Sequence, residues 1–268
     1  MRSYPEAPEG LLVERDGATL RIRLNRPERR NAMTDDMVLA LIATIDAAGS
    51  DETIRVISLS GEGAHFCSGF DLAERDPIER PRTGSAQRRM RWHVNRLIPT
   101  MLEVQAPIVT AAKGWIAGLG LSLLLASDFA VVAEDARLLS PYISAGFTPD
   151  SGGSWLLPRL VGVARAKEML LLGRQINGTE AAGWGLVHRA APSSEVTEVA
   201  DSLVNQLAGA ATVAVGLAKL LVHRGLSSDL NAHLADEALA LELASRTDDF
   251  KEGRTARRER RPPEFGGR

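Results

Sequence analysis

Residues 19–24 read TLRIRL, with Leu20, Ile22 and Leu24 alternating against Arg21 and Arg23. A side-chain period of two is that of a strand with one face in the core. The period then lengthens. Met37, Leu41 and Ile45 recur at helical spacing behind Thr34, a good N-cap, with Asp35 and Asp36 in the first turn and Gly49 at the end. "IRVISLS" and "FAVVAE" read as further strands and "PIVTAAK" as a buried one. Glycine turns follow, "GEGAHFCSGFDL" after "IRVISLS" and "GWIAGLG" after "PIVTAAK", the second leading into a buried helix, "LSLLLAS". Residues 72–85, polar and broken by Pro77 and Pro81, are expected to be a mobile loop. One helix should run on through Trp92, Leu97 and Leu102, and "GGSWLLPRLVG" should open another.

Strand, turn and helix alternate to about residue 192, which is an α/β pattern. Beyond it, "SEVTEVADSLVNQLA", "VAVGLAKLLVHRG" and "DLNAHLADEALALELASR" are helical only. The expected division is therefore a core over 1–195 and a helical region over 196–268. No Pro- or Gly-rich linker between them suggests independent domains.

Composition narrows the function classes. Of 268 residues, 44% are hydrophobic and 25% charged, and the net charge of −2 gives no field for nucleic acid or an anionic membrane. Cys67 is the one cysteine, so no disulfide framework is possible, which suits a reducing compartment. No apolar leader opens the chain, and the stretch ending at Asp128 is shorter than the ~20 residues of a membrane span. A cytoplasmic protein without membrane or nucleic-acid partners is expected.

The glycine turns allow several chemistries. "GEG" lacks the third glycine of a dinucleotide fingerprint, because Phe66 stands in its place, and no phosphate-binding GxxxxGK[ST] occurs. Cys67, near His65, is more readily a small core residue than a nucleophile. Two turns that each lead toward a helix can instead aim backbone amides at one ligand oxygen. They can equally be tight connections and nothing more. Asp150, just ahead of Gly152, has the position of a helix N-cap. His93, His188, His223 and His233 lack metal-ligand spacing, so no metal is expected, and Trp155 and Trp184 read as packing.

Five segments, in order, resemble those of the crotonase superfamily, the enoyl-CoA hydratases and isomerases. They are "NRPERRNAM", "GEGAHFCSGFDL", "KGWIAGLGLSLLLASDFAVVAEDA", "ISAGFTPDSGGSWLLPRLVG" and "RTDDFKEGRTARRERRPPEF". The resemblance implies a spiral of ββα repeats with a trailing α-helical region, assembled as a homotrimer or dimer of trimers. It implies an acyl-CoA substrate, with coenzyme A part of the substrate and no separate cofactor. It assigns the amides of Phe70 and Leu119, after Gly69 and Gly118, to an oxyanion hole. Ser68, Gly69, Asp71 and Leu72 should lie along the coenzyme A, Arg30 near its phosphates, and Phe250 and Lys251 against it from a neighbouring subunit. The loop over 72–90 should line the acyl pocket.

The departures are informative. Ser122 and Tyr142 occupy the two positions where hydratases of this superfamily carry glutamates. Asp150 instead matches the acid/base aspartate of isomerases in the branch resembling the ring-epoxyphenylacetyl-CoA isomerase. The resemblance thus implies movement of a double bond in an enoyl-CoA, with Asp150 carrying the proton. The alternatives are hydration of a 2-enoyl-CoA with water held by Tyr142 or Ser122, an acyl-CoA-binding protein without chemistry, and a serine peptidase on a related fold. For the last, the sequence nominates no histidine partner for Ser122.

Overall fold

A computed structural model describes residues 4–71 and 82–268. Its main sheet has six strands in the order β1-β2-β3-β4-β6-β9. β1 (Leu11–Asp16) and β2 (Thr19–Leu24) form an antiparallel hairpin, and the remaining neighbours, β3 (Val56–Gly61), β4 (Ile108–Ala112), β6 (Phe129–Ala133) and β9 (Arg189–Ala191), run parallel. β2 has the expected bounds, and Leu20, Ile22 and Leu24 are buried. β1 has an apolar pair, Leu11 and Val13, but the equally apolar Leu12 between them is exposed, so its alternation is masked.

"GWIAGLG", expected to be a turn throughout, contains β5 (Trp115–Ala117). β5 belongs to a second, three-stranded sheet with β7 (Arg137–Leu139) and β8 (Ile176–Asn177). A main-sheet strand, a short strand of the second sheet and a helix follow one another twice. β4–β5 leads into α4 (Leu119–Leu125), and β6–β7 leads into α5 (Gly153–Leu171). This is the ββα spiral that the sequence resemblance implied. α5 is broken at Gly162, where φ is 77° and ψ 164°.

α1 (Asp35–Gly49) begins where Thr34 accepts a hydrogen bond from the Met37 amide at 3.2 Å. It buries Met37, Leu41 and Ile45 in the core. The single helix expected through Trp92 is two. α2 (Ser85–Trp92) and α3 (Val94–Glu103) are separated at His93, whose backbone (φ −121°, ψ −90°) is not helical. Residues 72–81 lie outside the described residues, as does the site residue Leu72. Of the loop expected over 72–90, residues 85–90 are helical instead.

After the short α6 (Gly178–Gly183) and β9 the chain is helical through α7 (Val196–Ala208), α8 (Thr212–Gly225), α9 (Leu230–Ser245) and α10 (Asp248–Glu259). α7 packs on β3, β4 and β6. α8 is fastened by Lys219, whose ammonium donates to Asp128 Oδ2 at 2.8 Å and to the Met101 carbonyl at 2.9 Å. Burial pushes the Lys219 pKa down and the Asp128 charge only partly restores it. The terminal strap returns to α10, where buried Asp249 accepts the Gly266 amide at 2.7 Å and the Gly267 amide at 2.9 Å.

Candidate active site

The two glycine turns meet. Cys67 joins the second sheet through a bridge to Ile116, its amide donating to the Trp115 carbonyl at 3.0 Å and its carbonyl accepting from the Ala117 amide at 2.9 Å. The chain then turns at Gly69, with φ at +111°. A Cβ on Gly69 would lie 3.3 Å from the Ala117 carbonyl oxygen and 3.8 Å from the Leu119 nitrogen. Only glycine tolerates both that dihedral and that approach. The Gly69 carbonyl accepts from the Met33 amide, and the Asp71 amide donates to the Met33 carbonyl, both at 2.9 Å. Phe70 is out of phase with this pair, so its own amide faces away from Met33. Opposite it, Gly118 (φ +53°) starts α4, and Leu119, the first helical residue, has no acceptor for its amide within the helix.

A cavity of about 270 Å³ opens between the turns. Ser68, Gly69, Phe70, Gly118 and Leu119 form one side, and Tyr142, Phe147, Asp150 and Ser151 another. Met90, near the end of α2, and Val94, at the start of α3, complete it. Arg89 of the same helix lies over the Phe70 ring at 5.3 Å. Among the described residues lining the cavity, Asp150 is the one carboxylate.

Asp150 is not the N-cap of α5. Ser151 and Gly152 both adopt positive φ (52° and 81°), so the helix starts two residues later than a cap at Asp150 requires, and Gly152 is the cap residue. The Asp150 carbonyl accepts the Gly153 amide at 3.1 Å, and its Oδ1 accepts the Ser151 hydroxyl at 2.8 Å. Asp150 is exposed to the cavity, whereas Ser151 is 4% exposed. The Tyr142 hydroxyl is buried beside them and makes no well-formed hydrogen bond among the described residues. Burial first, then the Asp150 charge, push the Tyr142 phenol pKa well up, so the hydroxyl keeps its proton.

Other expected site residues fall elsewhere. Ser122 is buried in α4, facing Gly153, and does not line the cavity. Asp71 is buried in an ion pair with Arg26 at 3.0 Å and is part of the turn's framework. Arg30 is exposed and lies over Trp115 at 5.7 Å, outside the cavity. Phe250 and Lys251, on α10, also lie outside it, and Lys251 pairs with Asp248 at 2.8 Å. Cys67 is fully buried with its thiol pKa pushed up to about 12 by burial, which agrees with a core residue. Ser151 was the residue the sequence hid. Its signal is a non-glycine wedged between Asp150 and a Gly-Gly pair, but only the backbone shows that it is left-handed.

The enoyl-CoA hydratase/isomerase family model matches residues 14–268. The chain belongs to that family. Among curated relatives, it is 33% identical to the 1,2-epoxyphenylacetyl-CoA isomerase of Escherichia coli K12, covering 97% of this chain and 99% of that one. It is 32% identical to the 2,3-dehydroadipyl-CoA hydratase of the same organism, covering 96% and 99%. Among solved structures, the enoyl-CoA hydratase of Bacillus anthracis superposes with a TM-score of 0.90 at 30% identity, covering 97% of this chain and 100% of that one. This member of the enoyl-CoA hydratase/isomerase family is thus similar both to a named isomerase and to named hydratases.

Proposed function

We propose that this enzyme moves a double bond within an enoyl-CoA, with Asp150 as the proton carrier. One observation carries the reading: Asp150 is the acid among the described lining residues, freed from helix capping and opposite the two glycine turns. Asp150 takes a proton from the α-carbon of a 3-enoyl thioester. The electron pair flows onto the thioester oxygen, held by the amides of Phe70 and Leu119. Asp150 then returns the proton at the γ-carbon, leaving the 2-enoyl thioester. A donor of this kind is worth about 3 kcal/mol in the transition state, and a placed general base ~10²–10⁴-fold. The test is Asp150→Asn assayed on a 3-enoyl-CoA. Turnover should fall at least about a hundredfold, and unchanged turnover removes Asp150 from the reaction.

Hydration of a 2-enoyl-CoA is the second reading. It is favoured by the Tyr142 hydroxyl beside Asp150, a second polar group on the same cavity wall to orient a water. Loss of absorbance of a 2-enoyl thioester in the absence of isomerisation would favour it.

We also propose the trimeric assembly. α9 carries Leu230, Leu234, Leu239, Leu241 and Leu243, all exposed, and buries only Ala240. A helix with so much bare apolar surface calls for a covering partner. A second copy would also supply the neighbouring subunit from which Phe250 and Lys251 are expected to reach the coenzyme A. Light scattering on the eluted protein measures the assembly, and a monomer would overturn it.

A further inference from the structure

A second, wider chamber of about 790 Å³ adjoins the catalytic cavity. Three stretches of chain wall it. Asn95, Ile98, Leu102 and Glu103 share one face of α3, and Leu220, His223 and Arg224 share one face of α8. The third wall is the start of α5, from Gly152 to Trp155. Met90, Asp150 and Ser151 line both spaces, so the carboxylate stands at their junction. The chamber is not where the sequence placed the acyl pocket. Of residues 72–90, Met90 alone lines it among the described residues.

The chamber has a direction. Val94 lines the catalytic cavity and Glu103 only the chamber, so the space runs along α3 away from Asp150. That is about 13 Å of helix rise. With the thioester oxygen between the glycine turns and Asp150 serving the α- and γ-carbons, a four-carbon enoyl group is used up inside the smaller cavity. Carbons beyond it must pass Met90, and the chamber is the adjoining space open to them. A flexible thioether at that passage adapts to groups of different width.

Its lining selects among such groups. Ile98, Leu102 and Leu220 supply apolar surface. Trp155, read from the sequence as packing, is 41% exposed at this wall, with the Arg159 guanidinium over its ring at 3.9 Å. An indole facing so wide a space suits a flat, bulky group better than a thin chain. The charges favour a neutral one. Arg224 already faces Asp236 at 3.5 Å, and His223 faces Asp128 at 3.9 Å. Glu103 has no cation within ion-pair distance among the described residues. Asp150 and Glu103 thus face the chamber against one guanidinium that is already matched.

We propose that this chamber receives the far end of the acyl group and selects a bulky, ring-bearing, uncharged enoyl group over a short one or one ending in a carboxylate, with Glu103 setting the charge preference. This rests on the enoyl-thioester reading above and adds Leu102, Glu103, Trp155 and Leu220 to it.

The test compares three 3-enoyl-CoA substrates: butenoyl, a longer one capped with a phenyl ring, and its para-carboxyphenyl counterpart. For the unaltered enzyme, kcat/KM on the phenyl-capped substrate should exceed that on butenoyl by at least about tenfold. It should exceed that on the carboxylate by roughly fivefold at low salt, the size of an exposed charge interaction. Leu102→Trp, which fills the chamber, should remove the advantage of the phenyl ring over butenoyl. Leu220→Trp should do the same from the facing helix, which guards against one helix tolerating the bulk poorly. Glu103→Gln should narrow the gap between phenyl and carboxyphenyl. No phenyl advantage in the unaltered enzyme, or equal losses on butenoyl and phenyl in both tryptophan variants, would overturn the chamber. A gap that Glu103→Gln leaves intact would overturn the role of Glu103. Calorimetry with the saturated phenyl-capped thioester and with butyryl-CoA needs no turnover. Tighter binding of the phenyl-capped thioester, lost in Leu102→Trp, upholds the chamber even where no isomerisation occurs, and then only the proton-transfer chemistry falls. Equal affinity for the two overturns the chamber even if the enzyme turns over enoyl thioesters.

Discussion

Ser151 donates its hydroxyl to Asp150 Oδ1 at 2.8 Å from a backbone held at φ +52°. The conformation disfavours serine, yet in it the hydroxyl points back at the preceding carboxylate. Ser151→Gly should separate these two effects. Relief of the left-handed strain should raise stability by about 1 kcal/mol, or about 2–4 °C in melting temperature. Loss of a hydrogen bond to a charged group should cut turnover roughly tenfold. Ser151→Ala, which keeps the strain, should lower turnover without the gain in stability. Thermal melts and initial rates on the same preparations check both.

The contact between Gly69 and the Ala117 carbonyl has a different consequence. Gly69→Ala places a methyl 3.3 Å from that oxygen at a φ of +111°. The expected cost is about 1–2 kcal/mol of stability. Turnover should fall about a hundredfold, because the turn carrying the Phe70 amide must shift, and one misplaced donor costs that much. Urea denaturation and steady-state kinetics measure the two. Near-normal turnover would remove the Phe70 amide from the mechanism.

Lys219→Met leaves the half-buried Asp128 without its ammonium partner. Removing one member of a buried ion pair costs about 3–5 kcal/mol. Urea unfolding at neutral pH should show that loss. Lys219→Met combined with Asp128→Leu should recover part of it, since the uncompensated charge is then gone.

Acid should destabilise the fold through His65. The native state binds this proton more weakly than the unfolded chain, whose histidine keeps the ordinary pKa of 6.5. Its contribution is therefore complete above that pH and is lost as pH falls through it toward the lower native value. Urea denaturation at a series of pH values from 7.5 to 5 should show the decline. His65→Gln should flatten that part of the curve.

What could be read from the sequence followed from how far each pattern extends. β2 has three full alternations and α1 has both a cap and a stripe, so their bounds were legible in the residues. β5, β7, β8 and β9 are two or three residues long, too short for any period to show, and they exist because neighbouring strands supply their hydrogen bonds. The break at His93 left the apolar spacing on both sides intact, so one helix looked sufficient. At the site, the glycines marked where the chain must turn. Ser68, Gly69, Gly118, Tyr142 and Asp150 do share one cavity. Ser122 and Asp71 resisted reading because a polar side chain looks the same in sequence whether it faces a ligand or the framework. The position of α5 was misleading for a local reason: two successive left-handed residues delayed the helix and released the carboxylate.

Cys67 gives the seam between the two sheets a reporter of its own. Its sulfur is sealed against Gly120, where a Cβ would come within 2.9 Å of it, and no part of the residue reaches solvent. A thiol-reactive dye should therefore find nothing to label while the strands stay zipped. Its rate of uptake then becomes a clock for how often this enzyme breathes open at the place where its two glycine bends touch.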